Sequence, residues 1–167
     1  MKILVDPGGF LTANDLRFRC ALGRSGVSRT KREGDGATPV GNFPLRRLLY
    51  RPDRIGAPET GLSVTAIDPR DGWCDDPTDV QYNRSVRLPY GASCETMWRE
   101  DHLYDVVVVL GHNDDPVEPH QGSAIFLHCA KADYGPTEGC VALAITDLLS
   151  LLSHCGPDDS LTVRAAD

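Results

Sequence analysis

The segment Asp105-Val-Val-Val-Val-Leu110 constrains the fold more than any other stretch of the chain. Four consecutive β-branched valines lose side-chain freedom in a helix and pack well on a pleated surface, so the run reads as a strand. Nothing polar interrupts it from Val106 to Leu110, so it has no solvated face and must be buried. Ser123–His128 reads as a second such strand. Sheet neighbours are expected at Lys2–Val5, Arg17–Leu22, Leu62–Ile67 and Ser160–Arg164. Sixteen glycines and twelve prolines among 167 residues divide the chain into short elements and argue against a helix bundle.

One helix is clearly written. Thr146 reads as its N-cap and Asp147 as part of its first turn. Leu148, Leu149, Leu151 and Leu152 form its apolar stripe, and Gly156-Pro157 ends it. Cys94–Glu100 reads as a second, shorter helix. Gly23–Gly41 is a polar, glycine-rich loop. Asp68–Gly91 is a long irregular segment, of the kind that is often functional. The expected fold class is mostly β with one or two packed helices, in a single domain over residues 1–167.

Charge and cysteine usage narrow the class of partner. A net charge of −7 argues against a nucleic-acid backbone. No run approaches the roughly 18 apolar residues of a membrane span. Met1–Pro7 is too short for the apolar core of a secretory signal, about 7–15 residues. Cys20, Cys74, Cys94, Cys129, Cys140 and Cys155 contain no Cys-x-x-Cys pair, and most are expected to be reduced, buried, small apolar residues. As written, the chain reads as cytoplasmic, with the periplasm or cell envelope as the alternative. Oligomeric state leaves no mark in the sequence.

The chemistry concentrates in Ala124-Ile-Phe-Leu-His128-Cys129 and Pro136-Thr-Glu-Gly-Cys140-Val-Ala. Sulfur nucleophiles need an imidazole to take a proton and N–H groups aimed at the developing oxyanion. His128 ends one apolar run, and Cys140 opens another after Gly139, whose freedom permits a tight turn. A thiol paired with imidazole is expected to titrate below the free value of about 8.5. A strand-end cysteine beside a turn glycine, without chemistry, is the plainer alternative. His112, Asp114 and His120 lack the tight spacing of metal ligands, so neither metal nor cofactor is assigned.

The pattern His128, loop Cys129–Pro136, then Thr137-Glu138-Gly139-Cys140 resembles the YkuD-type L,D-transpeptidase catalytic domain. A second signature of that family, Thr-Pro-x-Gly-x-Phe, stands at Thr38-Pro39-Val40-Gly41-Asn42-Phe43. The resemblance implies a β-sandwich-like catalytic fold. It implies that Cys140 attacks the diaminopimelate carbonyl of a peptidoglycan stem tetrapeptide, D-Ala leaves, and an acyl-thioester remains. His128 would be the base, oriented by the Cys129 carbonyl. The Gly139 and Cys140 N–H groups would hold the oxyanion, with Thr137 lining the site. An amine acceptor makes the reaction an L,D-transpeptidation. Water makes it an L,D-carboxypeptidation of recycled muropeptides, which the short N-terminus favours.

Three departures bear on the substrate. The His-to-Cys loop is short, Glu138 stands where the family usually has histidine, and Ala142 stands where arginine or asparagine is common. Losing that arginine removes a bidentate carboxylate partner. Asn83, Arg84 and Arg87 are candidate replacements, His112 is a further cleft candidate, and Asp75, Asp76, Asp114 or Asp115 could meet the diaminopimelate amine. Those departures also motivate a different class of function, a non-catalytic module that binds peptidoglycan peptides.

Overall fold

A computed structural model describes residues 1–166. Its N-terminal strands are β1 (Lys2–Asp6), β2 (Phe10–Ala13), β3 (Leu16–Arg19), β4 (Val27–Ser28), β5 (Thr38–Pro39), β6 (Gly41–Tyr50) and β7 (Val64–Ala66). There follow β8 (Asp71–Cys74), β9 (Ser85–Arg87), β10 (Cys94–Thr96), β11 (Val106–Leu110), β12 (Phe126–Cys129) and β13 (Val141–Leu143). Helix α1 (Ile145–Leu152) and β14 (Ser160–Val163) complete the chain. The architecture is mostly β, and α1 is too short to cross a membrane.

Nine strands form one mixed sheet in the order β13-β12-β11-β6-β14-β1-β2-β3, with β7 alongside β6. Strand β6 is the hinge of this sheet and was not legible as a strand. Its first residues pair with β14, and the rest pair with β11 on one edge and β7 on the other. Between Val109↔Arg47 and Leu110↔Leu45 the register slips, leaving Arg46 as a bulged residue. A bulge breaks the two-residue alternation that identifies a strand. The expected strand at Arg17–Leu22 is one arm of a hairpin, β2–β3, turned by Asn14 at φ 51° and Asp15.

Strand β11 explains its own composition. Val106, Val108 and Leu110 face one core together with Leu148, Leu151 and Leu152 of α1. Val107 and Val109 face a second, smaller core with Trp73, Met97, Tyr104, Phe126 and Cys140. The second face is covered by a separate three-stranded sheet, β10-β8-β9. This cap corrects two expectations: Asp68–Gly91 is not wholly irregular, and Cys94–Glu100 begins as strand rather than helix. Each cap strand spans only three or four residues, too short to display a period. The ladder from Cys94 to Thr96 against β8 overrides local helix preference.

The helix begins two residues earlier than expected. Ala144 occupies the N-cap position with no side-chain cap, and Thr146 lies inside the first turn. The cause is the direct junction with β13, which ends at Leu143. All six cysteines are free; five are buried and Cys94 is partly exposed.

The helix register can be tested by truncation. Leu151 is fully buried and Leu149 only partly so. Leu151→Ala is expected to lower unfolding free energy by about 2–5 kcal/mol, and Leu149→Ala by clearly less, in denaturant titrations. Equal losses would contradict this packing.

Candidate active site

The parallel pairing of β12 with β13 turns a twelve-residue separation into a spatial neighbourhood. The register Leu127↔Val141 and His128↔Ala142 sets Phe126 opposite Cys140, one step back. Because side chains alternate along a strand, Phe126, His128 and Cys140 share one face. Residues diagonal across neighbouring strands lie about 7–8 Å apart at Cα, within reach of longer side chains. His128 and Cys140 thus open on the same cavity, the space left between the sheet and the cap.

The turn before Cys140 requires glycine. Gly139 has φ +142°, and a Cβ there would stand 2.8 Å from the Ala37 carbonyl oxygen. Next to Ala37, the fully buried Thr38 accepts a hydrogen bond from Gly23 N–H at 2.9 Å and its hydroxyl reaches the Cys140 carbonyl at 3.5 Å. The upstream Thr38–Phe43 element therefore forms the seat beneath the cysteine loop. Thr137 braces the same turn: its hydroxyl donates to the Cys140 carbonyl at 2.7 Å and accepts from Gly139 N–H at 3.1 Å. In this arrangement the Gly139 N–H is occupied rather than free for an oxyanion.

His128 is 5% exposed, and its Nδ1 donates to the Cys129 carbonyl at 2.8 Å. That bond leaves Nε2 as the unprotonated, proton-accepting nitrogen. Burial is the main cause that lowers its pKa to about 4. The Cys140 thiol is directed elsewhere: Sγ donates to the Ala124 carbonyl at 3.2 Å and accepts from Phe126 N–H at 3.3 Å. Burial, reinforced by the Glu95 charge, pushes the thiol up to about 12. This direction is opposite to the depressed thiol expected from pairing with imidazole. Desolvation disfavours both charged forms, so the resting pair is a neutral thiol and a neutral imidazole.

The cavity holds about 470 Å³ and is lined by side chains of both charges. Lys31, Arg99 and Lys131 contribute cations, and Glu33, Asp75, Glu95 and Asp101 contribute carboxylates. Arg99 forms a salt bridge with Asp101 at 2.6 Å, approaches Glu95 at 3.9 Å and lies 5.0 Å from the Tyr104 ring centre. The Tyr104 hydroxyl donates to Glu95, and its ring packs edge-on against His128 at 5.3 Å. Burial raises the Glu95 carboxyl above its ordinary value. Asp75 Oδ1 is buried without a hydrogen-bond partner among the described residues.

The expected site residues divide into two groups. Thr137, Glu138, His128 and Cys140 line the cavity, with Glu138 held outward by Arg24 at 2.9 Å. Asn83, Arg84, Arg87 and His112 do not line it. Asn83 is buried and structural: its amide donates to the His112 and Asn113 carbonyls and accepts from Trp73 Nε1 and Ala124 N–H. Arg87 pairs with Asp68 and Asp71 on the outside of the cap. His112 packs against Phe43, with Nε2 at 3.0 Å from the Gln121 carbonyl. Arg84 is exposed. Of the candidate carboxylates only Asp75 lines the cavity, and Asp114 is engaged by Arg46 at 2.8 Å. Arg99 and Glu95 were missed because a helix over Cys94–Glu100 left no reason to aim them at His128, and Tyr104, just beyond it, carried no local signal.

Comparison with known proteins gives a family. No curated protein matches the chain. The structure of the helical cell shape determining protein Pgp2 from Campylobacter jejuni aligns with 99% of this chain and 48% of its own, at 14% identity and TM-score 0.52. An L,D-transpeptidase from Mycobacterium smegmatis aligns over 98% of this chain and 58% of its own, at 10% identity and TM-score 0.47. This chain thus spans about half the length of those solved structures. The family model for the YkuD L,D-transpeptidase catalytic domain matches residues 2–163, and the chain belongs to that family.

Proposed function

We propose that this domain cleaves the L,D bond between diaminopimelate and terminal D-Ala of peptidoglycan stem tetrapeptides, through a thioester on Cys140. The observation that carries this reading is the placement of His128 and Cys140 on one face of one cavity, with His128 Nδ1 tied to the Cys129 carbonyl. Rotation of the Cys140 side chain away from the Ala124 carbonyl brings Sγ toward His128. Nε2 takes the thiol proton as Sγ bonds to the diaminopimelate carbonyl carbon. The resulting imidazolium gives that proton to the leaving nitrogen, and D-Ala departs. An amine, in transpeptidation, or water, in carboxypeptidation, then gives a proton to His128 and displaces the sulfur. A neutral starting pair suits this order, because charge develops only once substrate has displaced water from the site.

The two-signed cavity suits a zwitterionic peptide end. Arg99 is the group best placed to replace the arginine missing at Ala142, taking a carboxylate. Asp75, with its unpartnered oxygen, and Glu95 form the wall for the diaminopimelate ammonium. The second reading, a non-catalytic module that binds peptidoglycan peptides, draws on the thiol's hydrogen bond to Ala124 rather than to His128.

Incubation with a disaccharide-tetrapeptide separates these readings by mass spectrometry. D-Ala release giving tripeptide marks water as acceptor; dimers or D-amino-acid exchange mark an amine. Cys140→Ala is expected to abolish turnover and the carbapenem adduct, and His128→Asn to slow turnover by about 10²–10⁴-fold. Peptide binding by both proteins, with neither turnover nor adduct in the wild type, establishes the binding module instead.

Arg99→Ala is expected to raise KM for tetrapeptide by roughly ten- to a hundredfold, the effect of one charge-assisted hydrogen bond. An unchanged KM removes Arg99 from the substrate grip.

The pH behaviour follows from burial. The neutral His128 is favoured by the fold, and its pKa falls from 6.5 to about 4. The unfolded chain therefore binds the extra proton first as pH drops. Stability should decline by roughly 3 kcal/mol as pH falls from about 6.5 to about 4, and kcat/KM should fall only near pH 4. Alkylation of Cys140, mapped by mass spectrometry, should rise about tenfold per pH unit through neutrality. A plateau between pH 6 and 8 would instead reveal a preformed thiolate–imidazolium pair.

A further inference from the structure

Behind the cavity wall, the cap brings two cysteines face to face. Cys74 on β8 and Cys94 on β10 are directly opposed in an antiparallel ladder. The Cys74 N–H and carbonyl both bond to the β9 side, with Arg84 and Asn83. Toward β10 the pair is therefore a non-hydrogen-bonded one. The neighbouring Asp75 N–H bonds to the Ser93 carbonyl across the same gap, as the alternation requires. In such pairs the Cα atoms lie about 4.5 Å apart with side chains on one face, inside the roughly 4.4–6.8 Å window that a disulfide spans. The two thiols also feature among the groups that shift each other's ionisation. No other two cysteines are register partners among the described residues.

We infer that Cys74 and Cys94 are a disulfide-forming site that cross-links two strands of the cap behind the cavity when a small-molecule disulfide is present as oxidant. Cys94 is the partly exposed member and Cys74 is fully buried. The Cys94 thiolate attacks the reagent's S–S bond, releasing one thiol and leaving a mixed disulfide on Cys94. Cys74 then attacks Cys94 Sγ and expels the second thiol. Two cysteine thiols and one reagent disulfide become one protein disulfide and two reagent thiols, and two electrons pass to the reagent. The first step is slow, because burial pushes the Cys94 thiol up to about 11 and Asp75 and Asp79 reinforce that shift.

The bond would act on the cavity from behind. Strand alternation sends the cysteines to one side of the cap and Trp73, Asp75 and Glu95 to the other. Asp75 and Glu95, each adjacent in sequence to one of the cysteines, line the cavity. Joining Cys74 to Cys94 closes the segment that contains β9 and fixes the spacing of those two carboxylates.

The test uses the full chain incubated with oxidised glutathione, then alkylated and digested with trypsin without reduction. A linked pair of peptides, Asp71–Arg84 with Leu88–Arg99, is expected, together with a rise in Tm of several degrees that dithiothreitol reverses. Cys74→Ser and Cys94→Ser should each abolish both signals. The inference is overturned if both cysteines are recovered alkylated, if Cys94 carries only glutathione, or if the linked peptides appear with no change in Tm. The wild-type mapping stands alone should either variant fail to fold.

Discussion

A strand with no polar side chain must be covered twice, and the rest of the molecule follows from that requirement. On one face of β11 the cover is α1, supplied by three buried leucines. On the other it is the cap β8–β10, which carries Trp73 and Met97 into the second core. The two covers are unequal. The helix packs closely, whereas the three-stranded cap leaves a cavity at the end where β12 and β13 present His128 and Cys140. Demand for burial thus creates both the sheet that aligns the two side chains and the enclosure that surrounds them.

That enclosure sets the electrostatics. Water would stabilise both thiolate and imidazolium; a protein wall on all sides stabilises neither. The cavity is lined by both cations and carboxylates, some of them paired with each other, as Arg99 is with Asp101. Glu95 illustrates the tension: it raises the Cys140 pKa, while Tyr104 and Arg99 restrain its own. A ligand group that neutralises Glu95 would ease ionisation of the Cys140 thiol, coupling occupancy at Glu95 to the state of the sulfur.

Much of this could be read from residues alone, and the limits have physical causes. The buried strands and the His128–Cys140 segment were legible because long apolar runs and a glycine-cysteine turn leave strong local signals. Strand β6 was hidden by its bulge at Arg46, by Pro44 and by two arginines whose partners, Asp114 for Arg46 and Ser85 for Arg47, lie far along the chain. The cap was hidden by the brevity of its strands. The substrate-side candidates Arg84 and Arg87 were chosen as charges in an irregular segment; once that segment is known to be a sheet, Arg87 faces outward to its own aspartates. Glu95 faces inward for the same reason, the alternation of a strand where a helix was expected, and Arg99 follows in the irregular turn after it.

The contact between Gly139 and Ala37 reaches beyond local geometry. The atom that would meet a new Cβ at position 139 is a backbone carbonyl oxygen, not a side chain. No substitution that trims a neighbouring side chain can make room, because Ala37 is already small and its carbonyl belongs to every residue type. Accommodating anything larger means moving the main chain of the 23–41 loop, which is held by Thr38 to both Gly23 and Cys140. Position 139 is therefore closed to second-site rescue by side-chain change. The 23–41 loop and the turn before Cys140 can change shape only together.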